Sequence, residues 1–213
     1  MMPKKILIVD DHEIIRQAIK LIVGSENDRL LIVGETGDGG EVLKLCRQHM
    51  PDLVLLDITL NTRDGLEVLK AIKKECWQIK VLIFSMHSES NYLVRALKAG
   101  ADGYINKQAA PKQLLVAIDH VIMGKKYISP EYAQELITYI QTDQEEALHD
   151  KLSNREMQTL RLLGGGLTVS GVAEKLLLSV KTVSMYRTRI LDKLDLNNTS
   201  ELIRYAIEHH LVD

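Results

Sequence analysis

Apolar positions in the first 125 residues come in two alternating kinds. Short unbroken runs, Ile6-Leu7-Ile8-Val9, Leu30-Leu31-Ile32-Val33, Leu53-Val54-Leu55-Leu56, Val81-Leu82-Ile83-Phe84 and the brief Tyr104-Ile105, have the character of strands buried on both faces. Between them, apolar residues recur at helical spacing: Ile14, Ile15, Ala18, Ile19 and Ile22; Val42, Leu43, Leu45 and Cys46; Leu66, Val68, Leu69 and Ile72; Leu93, Val94, Ala96 and Leu97; Leu114, Leu115, Ala117, Ile118 and Val121. Gly100 stops the fourth of these helices, and Pro111 suits the first turn of the fifth. Five strands alternating with five helices predict a doubly wound α/β domain on a five-stranded parallel sheet.

Past residue 150 the pattern is helical only. Ser153 and Glu156 form a capping box that opens a helix with Met157, Leu160, Leu162 and Leu163 on its apolar side, ended by Gly164-Gly165-Gly166. Val172, Ala173, Leu176 and Leu177 predict a short second helix, and Leu178-Ser179 a turn. A third helix starts at Ser179 or Val180 and buries Val183, Ile190, Leu191 and Leu194; a fourth runs from Thr199 or Ser200 through Leu202, Ile203, Ala206 and Ile207. Upstream, Ser129-Pro130-Glu131 begins a helix continued by Tyr132, Leu136, Ile137 and Ile140, and residues 141–150 are acidic with little to bury. The expected division is therefore 1–124 as an α/β domain, 125–150 as a linker containing a helix, and 151–213 as a small all-α domain.

Charge sharpens this division. The net charge is −2, but residues 151–213 carry nine Lys/Arg against seven Asp/Glu, and the remainder is acidic. From Lys175 to Lys193 five basic residues face one acid, Asp192. A short helix, a turn and a second helix with a polar, basic outer face suit the DNA major groove. The two cysteines, Cys46 and Cys76, have no metal or disulfide spacing and read as reduced thiols. No apolar run approaches the roughly 18 residues of a membrane span, and the first run is too short for a signal peptide. A cytoplasmic protein with no membrane partner is expected.

The candidate chemistry lies where the strands end. Asp10, Asp11, Asp57, Ser85 and Lys107 each follow an apolar run, and in a parallel sheet those ends share one edge. A single aspartate there is ordinarily a turn or helix cap, as Asp11 can be; the set of five is what points to chemistry. Three crowded carboxylates stay ionised only beside a cation, and hard oxygen ligands favour Mg²⁺. With Lys107 as a fixed positive charge and Ser85 as a hydroxyl donor, the set describes a site that holds a phosphoryl group on Asp57, the nucleophile.

Val9-Asp10-Asp11-His12, Leu55-Leu56-Asp57, Ser85, Ala99-Gly100-Ala101-Asp102-Gly103-Tyr104 and Lys107 together resemble the receiver domain of two-component response regulators, a flavodoxin-like fold. The resemblance implies phosphorylation of Asp57 by a sensor histidine kinase. It implies Mg²⁺ on Asp11 and Asp57, with Asp10 assisting and the Thr59 carbonyl as a further ligand. It implies a switch in which Ser85 turns toward the phosphoryl group and Tyr104 changes rotamer with it. The loop Ile58-Thr59-Leu60-Asn61-Thr62-Arg63-Asp64-Gly65 departs from the family by lacking its usual proline, so a receiver that works without phosphorylation is a second expectation. A phosphohydrolase acting through an aspartyl phosphate is a third, but Asp57-Ile58-Thr59 lacks the second acid of such enzymes.

Leu152–Glu156, Gly166-Leu167-Thr168, Val172-Ala173 and Leu178-Ser179-Val180-Lys181-Thr182-Val183 through Lys193-Leu194 are similar to the helix-turn-helix of NarL/FixJ (LuxR-type) transcription factors. Val169-Ser170-Gly171 and Tyr186 depart from the usual pattern. By position in that resemblance, Ser184, Met185 and Thr188 face base edges while Lys181, Arg187 and Arg189 grip phosphates. The resemblance also implies a dimer on two promoter half-sites, formed on phosphorylation through the last helix at Thr199, Leu202 and Ile203.

Overall fold

The computed structural model describes residues 2–26, 28–60, 64–86, 90–141, 148–209 and 211–212. The chain divides into two compact units, 1–143 and 144–213. In the first, strands β1 (Lys4–Val9), β2 (Leu30–Thr36), β3 (Leu53–Leu56), β4 (Lys80–Ser85), β5 (Gly103–Asn106) and β6 (Tyr127–Ile128) alternate with helices α1 (Glu13–Gly24), α2 (Val42–His49), α3 (Gly65–Glu75), α4 (Ser90–Lys98) and α5 (Pro111–Ile122). The strands are parallel, in the order β2-β1-β3-β4-β5-β6. The five expected strands form. The sixth adds two residues at the edge, pairing Gly103 with Tyr127 and Tyr104 with Ile128.

Strand periodicity sorts the core. Leu7, Val9, Val54, Leu56, Val81, Ile83 and Tyr104 point to one face, where they meet α2, α3 and α4. Ile6, Ile8, Leu53, Leu55, Leu82, Phe84 and Ile105 point to the other, against α1 and α5. Both faces are covered, which is why the central strands read as unbroken apolar runs. Gly100 closes α4 in the left-handed region at φ 98°, as its position predicts.

The helix expected in the linker forms as α6 (Pro130–Gln141). It packs on the α4 side of the sheet, contributing Tyr132 and Leu136 to that face's core. The acidic joint expected at 141–150 lies largely outside the described residues, as do Asn61, Thr62 and Arg63 of the loop after Asp57.

The second unit opens with a 3-10 turn (Leu148–Lys151) and contains α7 (Asn154–Gly164), α8 (Val169–Lys175), α9 (Val180–Leu194) and α10 (Thr199–Glu208) around one core. Each helix starts on a side-chain cap: Ser153, Thr168, Ser179 and Asn198. The Ser153–Glu156 capping box is complete, and Glu156 also receives Lys193 Nζ at 2.5 Å, pinning α7 to the end of α9. Helical spacing overshoots in α8. The helix stops at Lys175, and Leu177 takes a left-handed φ of 54° and is 93% exposed. Leu178 N–H closes the end by donating to the Ala173 carbonyl at 2.9 Å.

Candidate phosphoacceptor site and nucleic-acid interface

The strand order reverses between β1 and β3, and the crevice at such a point is where open α/β sheets bind ligands. Asp10 follows β1 and Asp57 follows β3, so both stand at this crevice. Their elements hold them tightly. Asp57 N–H donates to the Val9 carbonyl at 2.8 Å and Asp10 N–H to the Thr36 carbonyl at 3.1 Å. The loop after Asp57 is closed by a bridge between Thr59 and Asp64, and Asp64 caps α3 by accepting from Leu66 N–H at 2.8 Å.

The sheet edge brings the predicted residues together. Lys107, just past β5, places Nζ 2.8 Å from Asp57 Oδ2 and 2.6 Å from Asp10 Oδ2, with its side chain only 3% exposed. Thr59 N–H donates to Asp57 Oδ1 at 3.1 Å. Asp11 Oδ1 lies 2.7 Å from His12 Nδ1. Asp10 Oδ2, beside Lys107 Nζ, and Asp11 Oδ1, beside His12 Nδ1, are buried oxygens with no donor among the described residues aligned for a hydrogen bond. Asp10, Asp11, His12 and Asp57 each offer a ligand atom within 4.8 Å of the others. Buried carboxylate oxygens without aligned donors, gathered this closely, are compatible with a divalent cation.

Burial pushes the Asp57 carboxyl up to about 6; Lys107 opposes the rise and the Asp10 charge adds to it. Ser85, at the end of β4, and Tyr104, on β5, are both fully buried, and their hydroxyls are hydrogen-bonded to each other. Burial holds the Tyr104 phenol far above its ordinary value, against the Ser85 bond, so it stays protonated. Sequence reasoning missed two neighbours. Arg16 Nη1 donates to the Asp10 carbonyl at 2.8 Å, fixing the first acidic loop, and Asn106 organises the turn that carries Lys107 by accepting from Gln108 N–H at 2.8 Å. A lone arginine on an amphipathic helix gives no signal of such a role.

On α9, Lys181, Ser184, Met185, Thr188 and Arg189 are exposed, while Val183, Ile190, Leu191 and Leu194 are buried. Arg187 differs from these exposed neighbours: its Nε donates to Thr199 Oγ1 at 2.7 Å, tying α9 to α10. The α10 residues expected at a dimer interface also divide. Leu202 is fully buried in the unit's own core, so the expectation that it meets a partner is corrected; Thr199 and Ile203 are half-buried, and Ile207 is 56% exposed.

Residues 6–119 match the response regulator receiver domain, and residues 150–206 match the bacterial regulatory proteins of the luxR family. A carboxylate-and-lysine site at the sheet crevice and a helix-turn-helix unit define the chain as a two-component response regulator with a LuxR-type DNA-binding domain. It is similar to the response regulator GacA of Pseudomonas aeruginosa (36% identity over 210 residues, 98% of each chain) and to UvrY of Escherichia coli K12 (34% over 207 residues, 97% of this chain and 94% of UvrY). Among solved structures it is similar to the RcsB response regulator of Salmonella typhimurium (TM-score 0.62, 25% identity, 96% of this chain and 98% of that one). The protein belongs to the NarL/FixJ family of response regulators. No helix among the described residues is long and apolar enough to cross a membrane.

Proposed function

We propose that Asp57 is the phosphoacceptor through which a sensor histidine kinase controls DNA binding by the second unit. One observation carries this: Lys107 Nζ bridges Asp57 Oδ2 and Asp10 Oδ2 beside buried carboxylate oxygens that lack aligned donors. In the transfer, an Asp57 oxygen attacks phosphorus, the P–N bond to the kinase histidine breaks, and that ring takes up a proton. Lys107 neutralises charge on the phosphoryl oxygens, and the Thr59 N–H orients the carboxylate. Asp11 and Asp57, with Asp10 and the Thr59 carbonyl, would hold Mg²⁺, which supplies further charge neutralisation when bound. The chain's own chemistry is confined to this self-phosphotransfer and hydrolysis of the acyl phosphate. Ser85 and Tyr104, already paired, form the switch.

The second unit binds double-stranded DNA with α9 in the major groove. Ser184, Met185 and Thr188 meet base edges; Lys181 and Arg189 meet phosphates; Arg187 acts chiefly by bracing α10. RcsB, whose DNA interaction has been studied structurally, supports this reading. Phosphorylation favours a homodimer on two half-sites, with Thr199, Ile203 and the more exposed Ile207 as contacts. The setting is the cytoplasm, where the kinase's transmitter domain and the promoters are both accessible.

Incubation with a phosphorylated sensor kinase or acetyl phosphate, plus Mg²⁺, tests the central claim. The wild type takes up an acid-stable, base-labile phosphoryl group and Asp57→Ala takes up none, with its far-UV spectrum unchanged. Equal labelling of the variant refutes the assignment.

A further inference from the structure

Tyr132, near the start of α6, is only 1% exposed. Its ring meets that of Tyr104 edge-on, with centroids 5.1 Å apart and planes at 83°. Its hydroxyl accepts a hydrogen bond from Asn106 Nδ2 at 2.8 Å. The other amide atom of Asn106, Oδ1, accepts from Gln108 N–H, so a single side chain ties α6 to the turn bearing Lys107. The backbone adds a third tie, from Ser129 N–H to the Tyr104 carbonyl at 3.2 Å. The linker helix is therefore joined to two groups of the Asp57 site. One is Tyr104, which bonds Ser85; the other is the Lys107 turn, whose ammonium bonds Asp57.

We propose that Tyr132 is the positioning residue through which the linker helix senses the state of Asp57. α6 stays seated while Tyr104 lies in the core against Ser85, and loses its seat when those hydroxyls are re-aimed at a phosphoryl group. The inference rests on the reading of Asp57 as phosphoacceptor. Its physical basis is close packing: a buried ring cannot lose its edge-on neighbour without a void or a shift of the element carrying it. Tyr132 anchors α6 at this seat, so the shift falls on the helix. Six residues separate Gln141 from Leu148, and freeing α6 thus frees the start of the connection to the second unit. Linkage makes the effect reciprocal: if phosphoryl binding unseats α6, a loosened α6 strengthens phosphoryl binding.

Hydrogen–deuterium exchange on the full chain, with and without beryllofluoride and Mg²⁺ as the phosphoryl mimic, tests this alongside acetyl phosphate labelling. In the wild type the mimic accelerates exchange across 130–141. Tyr132→Ala exchanges fast there without the mimic and binds it more tightly, within the roughly 5- to 150-fold range of ordinary coupling. Tyr132→Phe keeps the ring contact, loses the Asn106 bond and falls between. If Tyr132→Ala loses its circular dichroism signal, Tyr132→Phe decides. Unchanged or slowed exchange in wild type that labels normally overturns the inference and leaves the phosphoacceptor reading intact, as does a Tyr132→Ala variant that folds and exchanges like wild type. If Asp57 labels in none of the proteins, both fall.

Discussion

A methyl group placed on Gly65 would stand 2.3 Å from the carbonyl oxygen of Asp57 and 2.6 Å from the Cα of Ile58. The first residue of α3 thus lies directly against the backbone of the proposed phosphoacceptor. Gly65 N–H also donates to the Ile58 carbonyl at 2.9 Å. Because the obstruction is backbone rather than a flexible side chain, the strand end or the helix must move. Gly65→Ala is expected to cost about 1–3 kcal/mol, the range of overpacked sites. It should also slow acetyl phosphate labelling of Asp57. Thermal melts and initial labelling rates check both; a variant with wild-type values in each contradicts the packing argument.

Lys107 is the counter-charge of two buried carboxylates. Removing one partner of a buried ion pair is far costlier than replacing the whole set, because the remaining charge is left desolvated. Lys107→Met is expected to lose about 3–5 kcal/mol at neutral pH. Adding Asp10→Asn and Asp57→Asn to it should recover most of the loss, since no buried charge then lacks a partner. Urea denaturation of the single and triple variants measures this, and a triple variant no more stable than the single one counts against it.

The oxygens of Asp10 and Asp11 that lack aligned donors provide a separate test. Mg²⁺ that binds only the folded protein raises the melting temperature by an amount growing with log[Mg²⁺]. Asp11→Asn should shift that dependence to at least tenfold higher Mg²⁺, a loss of about 1.4 kcal/mol of binding or more. Calorimetric titration gives the affinities directly, and equal affinities for the two proteins would remove Asp11 from the metal site.

Much of this was legible in the sequence because burial on two faces forces a parallel strand into an unbroken apolar run, which makes its end conspicuous. Asp10, Asp57, Ser85 and Lys107 are therefore assignable to one edge from the apolar runs they follow. What was hidden depended on partners rather than patterns. Tyr127–Ile128 is too short to carry a period, yet it completes the sheet by pairing with β5. The apolar face of α6 announced a helix but not that Tyr132 would seat on Tyr104. Leu176 and Leu177 extended the helical spacing of α8, but the chain turns left-handed at Leu177, where a leucine gives no warning. Leu202 looked available on a terminal helix and proved to be core.

Glu156 gives the second unit a defined acid limit. Burial alone would raise its carboxyl, but Lys193 and the Ser153 N–H outweigh that and hold it below the ordinary value. A carboxyl depressed in the folded state contributes stability that is fully present above its unfolded pKa, and this is lost as pH falls through the folded pKa. Glu156→Gln should therefore be less stable than wild type at pH 7, by about 1–2 kcal/mol given the capping contact and a partly exposed lysine. The gap should close as pH drops below the ordinary glutamate range. Denaturant melts from pH 3 to 7 read it out; a gap that persists at the acid end assigns the loss to packing.

The exposed face of α9 separates affinity from specificity. Lys181 and Arg189 are exposed cations on α9, and on the proposed reading each acts on DNA through phosphate charge. Replacing either by alanine should weaken binding to specific and unrelated duplexes alike and reduce the slope of log K against log[salt] by about 0.9. Met185, 44% exposed on the same face, carries no charge; Met185→Ala should leave the salt slope unchanged while altering preference among half-site sequences. Arg187→Ala belongs to neither class. Its Nε bond to Thr199 makes it a brace between α9 and α10, so its loss should lower the stability of the unit as well as affinity. Fluorescence anisotropy over a salt series, with melts of each variant, distinguishes the three behaviours. If Arg187→Ala matches Lys181→Ala in slope and leaves stability untouched, Arg187 is a phosphate contact and the brace to Thr199 is incidental.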